Sequence, residues 1–432
     1  MVKIMLKKTE SIKEALLKTS FINLLARILG YLKQVSIAIL LGFSYQTDAF
    51  FMALSLIGVF MIFVDVFDSL GIPNLVSAKE KGEEEFKRLA GLLLTFTTIL
   101  ALAVLLFAII LYPFLSKVAI GFDQRALESL KISYFLLLPY LFSSFFPHHF
   151  GALLRSQRRF TPYFVGEFIL SFFSFLITAF GLWLYSSFLV LSIAVSLANL
   201  LATIYMIYAG KEFIHFEFYL DKTAKLILKH FFYLTALYGV FHLFILVDRS
   251  FASLLGEKGV SALTYGSLLA FALRGVVKLE HMAITALSET RASLETINKF
   301  AKFSLLVSLP TALFLFIFAP LLVEIFFGYG KFTKMDADLT ATALRYYSLS
   351  IFFLFLWNVL YRAFQVLNWL KPVFFVAIAG VFINALANYI FVVVYKLGVA
   401  GICLGTFLAY AVINSLSYYF LYTRAKNELG RG

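Results

Sequence analysis

The sequence predicts an all-α protein that crosses a membrane many times, with about twelve helices arranged in two six-helix lobes. Of its 432 residues, 62% are hydrophobic and only 14% are charged. Apolar runs longer than about 18 residues recur along the chain, and a run of that length allows a helix to cross a bilayer. These runs are too long and too uniformly apolar for barrel strands, so helices are the expected spanning elements.

The predicted spans are separated by charged residues, glycine and proline. Their limits are 19–42, 47–77, 89–115, 127–154, 160–184, 187–209, 226–251, 260–289, 300–327, 338–365, 371–395 and 399–423. Several of these segments exceed the minimum length, so we expect those helices to tilt or to extend beyond the hydrocarbon.

Lysine and arginine are unequally distributed between the loops on the two sides of the predicted membrane. They concentrate in the N-terminal segment and in the loops that follow every second span, which is typical of cytoplasmic loops. Both termini are therefore predicted to be cytoplasmic, as an amphipathic segment at 1–18 and a tail at 424–432. The same bias accounts for the formal net charge of +13, so this charge does not indicate nucleic-acid binding.

Two pairs of segments indicate that the second half of the chain repeats the first. PFLSKVAIG at 113–121 corresponds to PLLVEIFFG at 320–328, with the same spacing from proline to glycine. FTPYFVGEF at 160–168 resembles LKPVFFVAI at 370–378. Because each copy holds an even number of spans, the two halves share one orientation and an axis along the membrane normal relates them.

The repeat predicts how the chain is divided. We expect an N-lobe at 19–209, a charged cytoplasmic linker at 210–225 and a C-lobe at 226–423. Transporters built from such repeats work by alternating access, and the interface of the two halves is the expected place for it.

Ionisable residues inside the predicted spans are the candidates for a substrate cavity. They are Arg27, Lys33, Asp48, Asp65, Asp68, Arg274, Lys278 and His281. An ionisable group at membrane depth costs about 2.5–3.5 kcal/mol, so it normally faces a partner or a water-filled cavity. Spacing places the candidates of the eighth span on one helical face with Ser267, Thr285 and Ser288. Two interpretations stay open, a solvated transport cavity in which acids balance bases, and internal ion pairs that hold helices together.

A second group of polar residues suggests an ion site. Asp248 lies in the seventh span, Asn384 and Asn388 lie one turn apart in the eleventh, and Thr406 follows in the twelfth. Carboxylate, amide and hydroxyl oxygens suit a hard cation such as Na⁺. Hydrogen bonding between helices by the asparagine and threonine side chains is the alternative. The phosphate-binding pattern GxxxxGK[ST] does not occur, so ATP hydrolysis by that motif is not expected. We predict no enzymatic activity and no cofactor besides the coupling ion.

Four segments, in order along nearly the whole chain, carry a family resemblance. They are ARILGYLKQ at 26–34, LLGFSYQTDAFFMA at 40–53, VDRSFASLLGEKGVSALTYG at 247–266 and FGYGKFT at 327–333. In these segments the chain resembles the MurJ (MviN) lipid II flippases of the MOP transporter superfamily. The resemblance implies a protein of the bacterial inner membrane that moves a lipid-linked diphosphate-sugar to the outer leaflet. The headgroup would cross through a cationic cavity while the lipid tail stays in the bilayer.

The resemblance also implies roles for individual residues. Arg27 and Lys33 match basic positions of the family's first helix and would attract the substrate diphosphate, which favours charge-assisted contacts. Asp48 matches the acid of the family's TDAFF segment and would act in gating or pair with a basic residue, with a helix-start cap as the alternative. Paired arginines common in the family's second span are replaced here by a stretch that contains Asp65 and Asp68.

Three functions remain to be distinguished. Lipid II flipping leads, and a Wzx-type flippase for another lipid-linked oligosaccharide would use the same fold. A MATE-like, cation-coupled efflux antiporter would depend chiefly on acids such as Asp65 and Asp68, whereas the basic residues favour an anionic substrate. In each case we expect a monomeric transport unit whose partners are its substrate and membrane lipids.

Overall fold

The computed structural model describes a helical chain. It covers the backbone of residues 9–10, 12–272, 283, 286–287, 289–367 and 369–429, without the side chains of 12–17, 65, 67–69, 223, 232–233, 236–238, 240–241 and 427–429. None of the residues covered lies in a β-strand. The predicted all-α class is confirmed.

The chain forms two compact units. The first comprises Met1–Gly42, Ala53–Val118 and Gln124–Gly239, and the second comprises Phe43–Met52, Ala119–Asp123 and Val240–Gly432. The predicted linker 210–225 thus lies within the first unit. Two short segments from the first half of the sequence belong to the second unit, an exchange that the repeat did not predict.

Seven helices precede the predicted linker. They are α1 (Ile12–Leu40), α2 (Tyr45–Lys81), α3 (Glu83–Leu115), α4 (Gln124–Leu136), α5 (Leu138–Ser156), α6 (Thr161–Tyr185) and α7 (Leu189–Ala209). In the first unit α1 packs along α6, α6 packs against α7, and α5 contacts both α3 and α7. Pro139 and Pro162 lie in the first two residues of α5 and α6, where a missing backbone N–H costs nothing and the fixed φ favours the helix.

The charged segment after α7 packs on the first unit. Arg159 forms an ion pair with Glu212, and Glu217 donates its backbone N–H to Thr95 Oγ1 at 3.1 Å. Arg88 Nε lies 3.5 Å from Glu217 Oε1. These contacts explain why 210–225 belongs to the first unit and is not a free tether.

Seven further helices complete the described chain. They are α8 (Lys222–Ser253), α9 (Gly259–Ala270), α10 (Leu294–Phe327), α11 (Lys334–Ser348), α12 (Ile351–Val366), α13 (Leu370–Asn388) and α14 (Gly398–Leu429). In the second unit α11 contacts α9, α10 and α14, and α13 packs along α14. A π-helical turn, Tyr389–Val394, follows α13.

The helix order repeats as the sequence segments do. In the first half, the long helix α3 is followed by two shorter consecutive helices, α4 and α5, and then by α6 and α7. The second half repeats this order with α10, then α11 and α12, and then α13 and α14. Pro113 and Pro320 lie near the ends of α3 and α10. Pro162 and Pro372 lie at the starts of α6 and α13. Each pair of similar segments therefore occupies matching places in the two halves.

The protein is a multi-pass membrane protein, although the exact count of twelve spans is not confirmed. Among the described residues, nine helices are long and apolar enough to cross a membrane, or ten if α11 and α12 form one span bent by 46°. Helix α9 has only 12 described residues. Most of the remaining part of the predicted span 260–289 lies outside the described residues.

Candidate functional site

Asp248, on α8 in the second unit, is buried and holds four hydrogen bonds. Its Oδ1 accepts from Asn384 Nδ2 at 3.1 Å and from Asn388 Nδ2 at 2.9 Å. Its Oδ2 accepts from Thr406 Oγ1 at 2.7 Å and from Tyr347 OH at 3.1 Å. The structure therefore brings together the four residues that the sequence singled out as an ion site, and it adds Tyr347.

Local helix geometry explains this convergence. Asn384 and Asn388 are four residues apart on α13, so both side chains face the same neighbour, and α13 packs along α14, which carries Thr406. A side chain at Gly405, also on α14, would overlap Asn388 Oδ1. The absence of a side chain at Gly405 therefore allows the close approach of Asn388.

The residues around Asp248 carry ligand types that suit a monovalent cation, while in this structure both amide nitrogens donate to the carboxylate. Asn388 Oδ1 is buried and has no hydrogen-bond partner among the described residues, so one amide oxygen of the group is left for a ligand. Asn384 Oδ1 accepts a long contact of 3.5 Å from Asn388 Nδ2. The group has one carboxylate with neutral amide and hydroxyl oxygens, and hard cations prefer such ligands. The described residues contain no cluster of three or more His, Cys, Asp or Glu that could hold a metal ion.

Asp48 lies in the first turn of α2, within the part of that helix that belongs to the second unit. Its Oδ1 accepts hydrogen bonds from the backbone N–H of Ser261 at 2.7 Å and from Ser261 Oγ at 2.5 Å. Ser261 is in the first turn of α9, where a carboxylate satisfies free N–H groups and interacts favourably with the helix dipole. Asp48 therefore caps α9.

The start of α2 is stabilised by a different pair of residues. Ser44 donates its backbone N–H to Thr47 Oγ1 at 2.7 Å, and Thr47 donates its N–H to Ser44 Oγ at 3.4 Å. The reciprocal bonds leave Asp48 available to α9. This partner of Asp48 is a helix N-terminus, which the sequence did not indicate.

Two further contacts attach the exchanged segments to α8. Arg249 Nη1 donates to the Phe51 carbonyl at 2.6 Å, and Gly121 donates its N–H to Ser253 Oγ at 3.1 Å. Phe51 belongs to Phe43–Met52 and Gly121 to Ala119–Asp123. Helix α8 thus carries Asp248 and, one residue later, an anchor for the segment that contains Asp48.

The predicted basic residues of α1 lie in the first unit. Arg27 is exposed and Lys33 is partly buried. Six residues of helix correspond to a rotation of about 600°, so the two side chains leave the helix about 120° apart. The backbone of Asp65 and Asp68 lies in α2, but their side chains are outside the described set. Arg274, Lys278 and His281 also lie outside the described residues, so the cationic cavity stays a prediction.

The chain has the fold of the MOP transporters, as two solved structures show. A solved structure of lipid II flippase MurJ in an inward closed conformation has a TM-score of 0.79 and 21% identity, over 94% of this chain and 87% of that one. An inward-facing multidrug resistance MATE family transporter of the MOP superfamily has a TM-score of 0.72 and 18% identity, over 96% of this chain and 98% of that one.

Sequence comparison identifies the family. The family model described as "Lipid II flippase MurJ" matches residues 37–432, and the chain belongs to this family. The "Probable lipid II flippase MurJ" of Aquifex aeolicus (strain VF5) is 27% identical over 390 residues, which cover 87% of this chain and 77% of the relative. The protein of the same name from Buchnera aphidicola subsp. Acyrthosiphon pisum (strain APS) is 26% identical over 397 residues, covering 86% and 77%.

Proposed function

We propose that this protein flips lipid II from the cytoplasmic to the outer leaflet of the bacterial inner membrane by alternating access. The observation that carries the proposal is the family match across residues 37–432. The MOP-type fold and the relatives named as lipid II flippases support it. A MATE-like exchange of small cations is less favoured, because the family match is to MurJ although the fold resembles both.

The substrate is proposed to bind through its diphosphate. Arg27 and Lys33 on α1, with Arg274 and Lys278, supply the positive charge that a diphosphate requires. Guanidinium groups can hold phosphate oxygens with two parallel hydrogen bonds, and ammonium groups act as compact point charges. The lipid tail needs no protein cavity, because it can remain in the hydrocarbon while the headgroup crosses.

Transport is proposed to be coupled to Na⁺ at Asp248. A bound Na⁺ would neutralise the Asp248 carboxylate, with Asn384, Asn388 and Thr406 supplying neutral oxygens. The orphaned Asn388 Oδ1 supports this assignment. Arg249, the next residue on α8, holds the Phe51 carbonyl. A movement of α8 at Asp248 would therefore also move the segment that contains Asp48.

The remaining assignments follow from the proposed transport. Both termini are cytoplasmic, as the distribution of lysine and arginine favours. The transport unit is a monomer whose partners are the lipid-linked substrate and membrane lipids. It binds no nucleic acid and catalyses no covalent reaction.

The proposal is tested in bacteria whose lipid II flippase can be depleted. We expect the native chain to restore growth and the exposure of lipid II at the outer leaflet. The triple variant Arg27→Ala, Arg274→Ala, Lys278→Ala should insert into the membrane and fail to restore either. A matched control, Lys117→Ala, Lys131→Ala, Lys331→Ala, removes the same charge from exposed positions and should behave as the native chain does. Correct insertion without rescue by the native chain would reject lipid II and favour another lipid-linked oligosaccharide.

A further inference from the structure

The charged segment after α7 turns its apolar side chains outward. Residues 214–221 lie outside any helix, and their side chains alternate between two faces, as they do in an extended chain. The apolar residues of the outer face are between 45% and 69% exposed, and they are Ile214, Phe216, Phe218 and Leu220. A loop in water would show the opposite alternation, so this face indicates contact with something apolar.

Helix α3 fixes which face of the segment points outward. Glu217, on the inner face, donates its backbone N–H to Thr95 Oγ1. The Arg88 guanidinium lies 4.2 Å from the centre of the Tyr219 ring, and its Nε also reaches the Glu217 carboxylate. The polar inner side chains are therefore satisfied by the protein, which leaves the apolar ones for the surroundings.

The contacts with α3 also give the depth of the segment in the membrane. No charged residue of α3 lies between Arg88 and Lys117, and this helix is one of the membrane spans. Thr95 is seven residues beyond Arg88, which corresponds to about 10 Å along the helix axis. The headgroup layer on each side of a bilayer is about 5–8 Å thick. The segment therefore reaches the boundary between the headgroups and the hydrocarbon.

An apolar cleft continues the outer face of the segment. It has a volume of about 60 Å³ and lies between the segment, α3 and the start of α8. Its walls include Phe96, Ile99, Phe218, Leu220 and Ile227, and none of the described residues that line it is charged. A cleft of this kind at the edge of the hydrocarbon suits part of an acyl chain.

Three lysines follow the segment at the start of α8. Lys222, Lys225 and Lys229 are exposed, and steps of three and four residues place them on one side of the helix. Leu226, which lies among them, is 52% exposed. Lysines beside an apolar segment at the membrane surface attract anionic lipid headgroups.

We propose that these residues form a binding surface for an anionic phospholipid of the surrounding membrane. The apolar outer face lies in the interface, the cleft holds part of an acyl chain, and the three lysines hold the phosphate of the headgroup. The surface lies wholly in the first unit and does not depend on lipid II as cargo. Only its assignment to the cytoplasmic leaflet rests on the orientation proposed above.

Quenching of a fluorophore by nitroxide-labelled phospholipids tests the proposal in the full-length protein. Cys403 is the sole cysteine and is buried, so Cys403→Ala provides a background for labelling at Phe218→Cys in liposomes. We expect labelled phosphatidylcholine to quench the fluorophore at 218 more than one at Glu84→Cys, an exposed site in the first turn of α3. Phe216→Cys is a second reporter on the same face, should the change at 218 impair folding.

The headgroup preference is measured with labelled phosphatidylglycerol. At 218 we expect it to bind at least about threefold more tightly than phosphatidylcholine, because of the adjacent lysines. A fluorophore at Leu106→Cys, exposed in the middle of α3, meets bulk lipid and should show no preference.

Substitution of the lysines separates this surface from general surface charge. Lys222→Gln, Lys225→Gln, Lys229→Gln should abolish the preference at 218 and keep the quenching by phosphatidylcholine. The control Lys299→Gln, Lys302→Gln, Lys371→Gln removes the same charge from exposed positions of the second unit and should retain the preference.

Four results would overturn the proposal. Quenching at 216 and 218 no stronger than at Glu84 would place the segment in water. Equal affinity for the two phospholipids at 218 would exclude selective headgroup binding, and equal loss in both lysine variants would reduce it to general charge. Displacement of phosphatidylglycerol by an equimolar amount of lipid II would assign the surface to the transport substrate instead.

Discussion

Arg249 donates a 2.6 Å hydrogen bond to the Phe51 carbonyl, while Asp248, one residue earlier on the same helix, accepts four hydrogen bonds. Adjacent helical residues leave the axis about 100° apart, so they reach different neighbours. Asp248 reaches α11, α13 and α14, whereas Arg249 reaches the start of α2. This arrangement joins the proposed ion site to the segment that carries Asp48.

Asp248→Asn should abolish the dependence of transport on Na⁺. The substitution keeps the size of the side chain but removes the charge that attracts the ion, and a tenfold or greater loss of Na⁺ affinity is expected. The test is the initial rate of lipid flipping against Na⁺ concentration, in an otherwise native chain. Asp338→Asn, at an exposed position of α11, serves as the control. Unchanged ion dependence in Asp248→Asn would remove Asp248 from coupling.

Tyr347→Phe should lower the free energy of unfolding by about 0.5–2 kcal/mol, because Asp248 loses one hydrogen-bond donor in an apolar environment. Thermal unfolding in detergent measures the effect. The neighbouring Tyr346 packs its ring against Phe316 and does not contribute to the Asp248 group. Tyr346→Phe is therefore expected to change stability less, and equal effects would argue against the bond from Tyr347.

Gly405→Ala should disturb the Asp248 group without changing any charged residue. The added methyl group would collide with Asn388 Oδ1, and overpacking of this kind costs about 1–3 kcal/mol. Unfolding temperature and Na⁺ affinity should both fall. At Gly30 on α1 an added side chain meets no atom within 4 Å, so Gly30→Ala should keep or slightly raise stability. An unchanged unfolding temperature and Na⁺ affinity in Gly405→Ala would contradict this prediction and would show that Asn388 can move at little cost.

Asp48→Ala should destabilise the second unit by about 1–3 kcal/mol, because the N–H of Ser261 loses its acceptor and α9 loses its cap. Asp48→Asn should cost less, since its amide oxygen can still accept. The free energies of unfolding of Asp48→Ala, Ser261→Ala and the variant with both substitutions give the coupling energy between the two residues. Asp48→Asn is measured beside them. Additive effects of Asp48→Ala and Ser261→Ala would contradict the direct contact.

The sequence predicted those features that depend on local pattern. Spacing placed Asn384 and Asn388 on one helical face, and oxygen chemistry linked them to Asp248 and Thr406. Tyr347 could not be predicted, because nothing in the sequence separates it from the other tyrosines in apolar helices.

Features that depend on contacts between residues far apart in the sequence were not predicted. The exchange of 43–52 and 119–123 into the second unit brings together residues roughly 200 positions apart, as Asp48 and Ser261 show, and no local pattern records such pairs. The linker 210–225 was predicted from its charge, yet its charged side chains pair with the first unit. The family resemblance, by contrast, rests on ordered motifs along the chain, and the family match confirms it.

Reconstitution of the purified protein into liposomes with fluorescent lipid II tests the central claim most directly. The quantity to measure is the fraction of lipid II that a membrane-impermeant reagent can reach over time. We expect the native protein to accelerate this exposure in a Na⁺-dependent manner, and Asp248→Asn to remove the Na⁺ dependence. Exposure at the rate of protein-free liposomes, with folded and correctly inserted native protein, would contradict lipid II flipping.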